Sequence, residues 1–219
     1  MRSEAILCDI EGVTTSIAFV HRTLFKIAHN KIEEYVNAHW ENPDVQSLQM
    51  EITPFTRESV IRTLREWIDA DRKHTALKAI QGEIWKESFE SGEVRSHIYE
   101  DVPPAFAEWK RAGKRIAIFS SGSVQAQQLL FRYTEAGDLT PYLSAYFDTT
   151  MGRKQEATAY TRIAEKLALP PGSILFLSDT VAELDAAREA GMQTIQVLRE
   201  GAVAAGDHAT VFSFFEIAP

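Results

Sequence analysis

A chain of 219 residues that is 45% hydrophobic and 25% charged can bury a sizeable core, as one large domain or as a domain with an insert. Its net charge of −8 argues against a general nucleic-acid binder, and an anionic substrate would need local help from a metal or a lysine. Cys8 is the single cysteine, which excludes an internal disulfide, and with no apolar signal-peptide core and no run of ~18 apolar residues the sequence reads as cytoplasmic, without membrane contact.

The first element is a buried strand over Ala5-Ile6-Leu7-Cys8, in which Cys8 is a small core residue. It ends at two carboxylates, Asp9 and Glu11, and Gly12 then frees the backbone to turn. The next stretch reads as helices. Ser16 caps a first helix whose residues Phe19, Val20, Leu24, Ile27 and Ala28 recur at helical spacing. Ile32, Tyr35 and Val36 continue it, and Asn42-Pro43 breaks it. Thr56 opens a second helix with Val60, Ile61, Leu64, Trp67 and Ile68 on one face. A third runs from about Thr75 to Gly92. These helices lie between the first strand and the second, which makes them an inserted helical subdomain and a candidate lid.

From residue 96 the pattern alternates strand and helix. Asp101 caps a helix with Pro103 and Pro104 in its first turn, and Gly113 ends it. Arg115–Phe119 is a strand, Ser120-Ser121-Gly122-Ser123 a turn and Val124–Tyr133 a helix. Tyr146-Phe147-Asp148 reads as a short strand and Gln155–Leu169 as an amphipathic helix closed by Pro170-Pro171-Gly172. Ser173–Leu177 is a buried strand ending at Ser178-Asp179; Ala182–Ala190 is a helix, Thr194–Val197 a strand and Thr210–Phe214 the last strand. The expectation is an α/β fold: a Rossmann-like, mostly parallel sheet with helices on both faces, plus an inserted helical cap. Residues 1–15 and 96–219 form the core and 16–95 the cap.

Polar positions sit at, or soon after, the C-terminal ends of successive strands: Asp9 with Glu11, Ser120 with Ser121, Lys154, and Asp179. In a doubly wound sheet such ends share one crevice. Taken singly, each has an ordinary structural reading as acidic turn, serine turn, solvated lysine or helix cap. Taken together they offer phosphoryl transfer. Asp9 attacks phosphorus, and Asp9 with Asp179 holds Mg²⁺, a hard ion that prefers oxygen ligands. Ser120 donates to a phosphoryl oxygen and Lys154 supplies positive charge. Glu11 protonates the leaving oxygen and then deprotonates a water. Glu183, four residues after Asp179, either supports the metal shell or faces solvent.

Asp9-Ile10-Glu11-Gly12-Val13, Phe119-Ser120-Ser121-Gly122-Ser123, Lys154 and Ser178-Asp179 resemble the four motifs of the haloacid dehalogenase superfamily. More narrowly, the chain is similar to the enolase-phosphatase family of the methionine salvage pathway, which has Glu where most superfamily phosphatases have Asp two residues after the nucleophile. The likeness continues in Asp71-Arg72-Lys73, Thr75-Ala76-Leu77-Lys78, Gln81-Gly82 with Trp85, and Phe147-Asp148-Thr149, and so covers nearly the whole chain. Val13 departs from the narrow family's usual Thr, and the sequence around Lys154 is looser. The resemblance implies one Mg²⁺ per chain, a monomer, and enolisation then dephosphorylation of 2,3-diketo-5-methylthiopentyl 1-phosphate to an acireductone. By position it carries over Asp9 and Glu11 as catalytic acids, Asp9, Glu11 and Asp179 as the metal set, and Ser120, Ser121 and Lys154 as substrate contacts.

Three rivals stand beside this reading. A receiver-type phospho-switch has no place for the long helical insert. A Ser-His-Asp hydrolase wants Gly-x-Ser-x-Gly at a strand-to-helix turn, which Ser121-Gly122-Ser123 is not, and His208 is the only late histidine. A haloacid dehalogenase phosphatase acting on another small ester is the serious alternative.

Overall fold

The computed structural model describes residues 3–199 and 204–218. In chain order its first elements are β1 (Ala5–Cys8), α1 (Ile17–Phe19), α2 (Phe25–Ala38), α3 (Pro43–Ser47), α4 (Arg57–Asp69), α5 (Thr75–Glu90) and α6 (Val102–Arg111). There follow β2 (Arg115–Phe119), α7 (Val124–Arg132), β3 (Leu143–Phe147), α8 (Ala157–Leu167), β4 (Ile174–Ser178), α9 (Val181–Glu189), β5 (Gln193–Val197) and β6 (Ala209–Val211). The chain divides into two compact units, Met1–Ile17 with Ser96–Pro219, and Ala18–Arg95.

The first unit is a six-stranded sheet in the order β3-β2-β1-β4-β5-β6, with every neighbouring pair parallel. β1 lies inside it, so both faces must be apolar. Its alternation meets that demand: Ile6 and Cys8 pack into one cluster with Phe106, Trp109, Ile118 and Phe131, while Ala5 and Leu7 pack into the other with Tyr160, Ile163, Phe176 and Leu184. Each wholly buried Leu, Ile or Phe contributes about 1.5–3 kcal/mol over an exposed one. Burial pushes the Cys8 thiol far up, with the Asp9 charge adding to it, so Cys8 is an inert core residue. The chain runs outward from β1 to β2 and β3 on one side and returns to β4, β5 and β6 on the other. The order therefore reverses between β1 and β4, where an open parallel sheet splits its connections and leaves a crevice at the carboxyl ends.

The second unit is helical. Ala28, Ile32 and Val36 of α2 meet Val60, Leu64 and Ile68 of α4 and Leu77, Ile80 and Ile84 of α5 in one buried cluster. The first helix is not continuous: a π turn at Val20–Leu24 separates α1 from α2. The Trp85 indole N–H donates to the Leu24 carbonyl at 2.8 Å, and its ring stacks on Phe25 with centroids 6.3 Å apart. Thr56 opens α4 with a capping box shared with Ser59, as the sequence leads one to expect.

Other local readings are corrected. The helix that opens after Ser16 runs only over Ile17–Phe19 before the π turn, and the Ser16 N–H meets His97 Nδ1 at 3.2 Å. Asn42-Pro43 starts α3 rather than only ending what precedes it, because Asn42 accepts the Asp44 N–H at 2.8 Å and Pro43 takes the first helical position. Asp101 stands at the N-cap of α6 without capping it: its carboxylate is committed to Arg199, Ser213 and the Phe214 N–H. β3 begins at Leu143, earlier than its apolar end suggests, α8 starts at Ala157, and β6 stops at Val211 before a 3₁₀ turn at Phe214–Glu216.

Candidate active site

β1, β2 and β4 deliver Asp9, Ser120 and Asp179 immediately beyond their last residues. The parallel register carries them to one level: Cys8 pairs with Ile118 on one side and Leu177 on the other, and the Asp9 N–H continues the ladder to the Leu177 carbonyl at 2.9 Å. All six residues singled out by sequence, Asp9, Glu11, Ser120, Ser121, Lys154 and Asp179, line a single open cleft of about 320 Å³. Ile17, Thr149, Arg153, Gln155, Thr180 and Glu183 complete its wall.

The centre of the cleft is a buried charge network. Lys154 Nζ lies 2.7 Å from Asp9 Oδ1 and 2.7 Å from Glu183 Oε2, and all three side chains are 9% exposed. The Ile10 N–H donates to Asp9 Oδ1 at 2.8 Å. The Ser178 hydroxyl lies 3.0 Å from Glu183 Oε2 and 3.4 Å from Asp9 Oδ2; its one hydrogen favours the nearer acceptor. Lys154 precedes α8, and its backbone is anchored from that helix, where the Tyr160 hydroxyl donates to the Lys154 carbonyl at 2.7 Å. Burial opposes the Lys154 charge, but the charges of Asp9 and Glu183 outweigh it and hold the ammonium above its ordinary range.

The carboxylates crowd one another. Burial, then the Asp9 charge, pushes Asp179 up, although the Thr180 hydroxyl donates to Asp179 Oδ1 at 3.0 Å. The same two causes, in the same order, push Glu183 up to about 7, with Lys154 and Ser178 opposing them. Gly12, at φ +73°, lies against Asp179: a Cβ built there would fall 2.4 Å from Asp179 Oδ2. The absence of a side chain at Gly12 is what lets the Asp179 carboxylate reach the β1 loop. Two hard oxygen donors that repel each other across such a cradle fit a divalent cation. Among the described residues, no three His, Cys, Asp or Glu side chains converge to hold a metal unaided.

Glu183 is the residue whose place the sequence left open. Its spacing from Asp179 was visible, but only the fold shows it turned into the cleft and bonded to Lys154. Thr180 likewise gave no signal beyond standing before a helix.

A model of the haloacid dehalogenase-like hydrolases matches residues 4–191. Enolase-phosphatase E1 of Sorangium cellulosum is 51% identical over 99% of this chain and 98% of its own length. The chain belongs to the enolase-phosphatase family of haloacid dehalogenase-like hydrolases. Enolase-phosphatase E1 of Methylococcus capsulatus is 47% identical, over 98% of this chain and 97% of its own. Among solved structures, the UTR4 protein of Saccharomyces cerevisiae superposes with a TM-score of 0.84 at 33% identity, covering 99% of this chain and 100% of that one. CbbY of Rhodobacter sphaeroides, solved in complex with phosphate, shares the fold at a TM-score of 0.62 and 21% identity. Enolase-phosphatases thus match this chain along nearly its whole length.

Proposed function

We propose that this chain is a bifunctional enolase-phosphatase that takes 2,3-diketo-5-methylthiopentyl 1-phosphate through an enol to acireductone and phosphate in methionine salvage. One observation carries the reading. Asp9, Glu11, Ser120, Ser121, Lys154 and Asp179 share one cleft at the strand ends of a chain 51% identical to an enolase-phosphatase along its length.

Asp9 is the nucleophile. Its carboxylate forms a bond to phosphorus as the phosphorus–oxygen bond to the carbon chain breaks, and Glu11 gives its proton to the departing oxygen. Glu11 then takes a proton from water, whose oxygen attacks phosphorus and releases phosphate and Asp9. Lys154, held at 2.7 Å from both Asp9 and Glu183, orients the Asp9 carboxylate and faces the charge that builds on the phosphoryl oxygens. Ser120 and Ser121 donate to those oxygens. Asp9 and Asp179 would hold one Mg²⁺ by their carboxylates, with Glu11, from the same loop as Asp9, joining through its backbone or a water and so keeping its carboxyl for proton transfer. When bound, that ion neutralises the phosphate and the crowded carboxylates and polarises the oxygens it touches. Enolisation adds removal of a proton next to a carbonyl, a demand that the phosphatase residues alone do not meet.

Residues 1–15 and 96–219 are read as the core, and residues 16–95, inserted after β1 and containing the compact unit Ala18–Arg95, as the helical cap. Its apolar and aromatic residues, Phe25 and Trp85 among them, suit a methylthio tail. The chain is read as a cytoplasmic monomer. Its single cysteine is buried, and no helix among the described residues is long and apolar enough to cross a membrane.

The test is phosphate release on the diketone ester beside a panel of sugar and nucleotide phosphates. Turnover concentrated on the diketone ester is expected. Comparable or faster turnover of the panel would favour a phosphatase for another small ester.

A further inference from the structure

The loop that carries Ser120 and Ser121 is held from behind by a residue that does not line the cleft. Gln127 lies on α7, one turn into the helix that follows the loop, and is wholly buried. Its amide nitrogen donates twice, to the Gly122 carbonyl at 2.9 Å and to the Phe147 carbonyl at 2.8 Å. Phe147 ends β3, and its carbonyl also accepts the Ser120 N–H at 3.2 Å. One side chain therefore ties three pieces together: the loop after β2, the end of β3 and the start of α7.

The orientation of this amide is set by its partners. Both acceptors are carbonyl oxygens, so only the nitrogen can face them, and a flipped amide would place oxygen against oxygen. The cost is visible on the other side, where Gln127 Oε1 is buried and has no hydrogen-bond partner. A buried polar atom left unpaired is unfavourable, and an apolar residue here would avoid it. The two donors are thus the property the site uses. The rest of the loop is short-tethered: the Gly122 N–H donates to Ser120 Oγ at 3.2 Å, and Ser123 caps α7 by accepting the Ala126 N–H at 3.3 Å. With the Gly122 carbonyl drawn inward to Gln127, the serines at 120 and 121 are left to the cleft side, where both line the wall with Thr149 from the segment after β3.

We propose that Gln127 is a positioning residue for the substrate's phosphate, fixing the loop after β2 against the end of β3 so that Ser120 and Ser121 meet the phosphoryl oxygens. This rests on the phosphatase reading of the cleft. It acts on binding rather than on bond making, because Asp9 and Glu11 stand on a different loop. The expected signature is a rise in KM with kcat little changed, joined by an equal weakening of inorganic phosphate as ligand.

The experiment compares the full chain with Gln127→Met, which keeps the length without donors, and Gln127→Glu, which regains one donor only when protonated. Inorganic phosphate binding is followed by calorimetry with Mg²⁺ present, beside KM, kcat and thermal melting. Gln127→Met should weaken phosphate and raise KM about tenfold together, the scale of one misplaced hydrogen bond to a charged group. Gln127→Glu should show the same defect at about pH 8 and recover towards wild type near pH 6 as the buried carboxyl takes up a proton. Unchanged phosphate affinity and KM in a folded Gln127→Met chain would overturn the proposal, as would a loss confined to kcat. Failure of both variants to fold would also overturn it, since Gln127 would then hold the fold and not the loop. A failure of the phosphatase reading shows separately, in a wild-type chain that turns over no phosphate ester. If that chain still binds phosphate, the variants are compared on binding alone; if it binds none, both readings fall.

Discussion

Lys154 Nζ lies 2.7 Å from Asp9 Oδ1, and both side chains are nine-tenths buried. An ion pair so placed fixes the Asp9 carboxylate beside an ammonium in a cleft that also gathers Asp179 and Glu183. Asp9→Asn keeps the shape and removes the attacking charge. Phosphate release should fall by several orders of magnitude. Melting should change little, because the lost pair with Lys154 is offset by relief of the repulsion that Asp9 exerts on Asp179 and Glu183. Near-wild-type phosphate release from this variant would remove Asp9 from the nucleophile's role.

Gly12→Ala tests the cradle. The added Cβ would sit 2.4 Å from Asp179 Oδ2 on backbone at φ +73°, so the carboxylate or the β1 loop must shift. Mg²⁺ affinity, measured by calorimetry, should drop at least tenfold, the consequence of about 1.4 kcal/mol of displaced ligand. Unaltered Mg²⁺ affinity would show that Asp179 does not hold the ion from this position.

Glu11→Gln separates acid from base. An aryl phosphate leaves without protonation, so its first step should survive the change, whereas an alkyl ester's should not. The second step still lacks its base, and phosphorylated Asp9 should build up to a level visible by intact mass. Equal slowing of both esters with no adduct would reject the assignment.

Asp101 and Arg199 carry a pH effect remote from the cleft. Burial pushes the Asp101 carboxyl up, but hydrogen bonds from Arg199, the Phe214 N–H and Ser213 outweigh it and hold the group below its usual range. A carboxyl depressed in the folded state adds stability above the unfolded value, about 3.9, and loses it as pH falls through the folded value. Asp101→Asn should therefore cost about 3 kcal/mol at neutral pH, where it leaves the Arg199 charge unpaired. The gap in melting temperature from wild type should narrow below about pH 4. A gap that stays constant across that range would contradict the assignment.

The same residue shows where sequence reading stops. Asp101 before Val102-Pro103-Pro104 looks like a helix cap, and nothing local reveals a partner 98 positions away. Lys154 near a helix start looks solvated, yet the fold buries it between Asp9 and Glu183. Local patterns served where the cause is local: the 3.6-residue stripes of α4 and α5, the capping threonine at 56, and the apolar strands ending at Asp9 and Asp179. The half-exposed β3 carries a weak pattern, in which only its apolar end, Tyr146-Phe147, stands out as strand. Gln127 carried no signal at all, because its value lies in two carbonyls supplied by other elements.

The central claim is that one chain both enolises and dephosphorylates, and heavy water tests it most directly. Run with the diketone phosphate in deuterium oxide, the reaction should place solvent deuterium at the carbon that loses its proton, with an absorbing enol appearing before or together with free phosphate. Rapid hydrolysis of unrelated phosphate esters, with no deuterium incorporation and no consumption of the diketone, would contradict it.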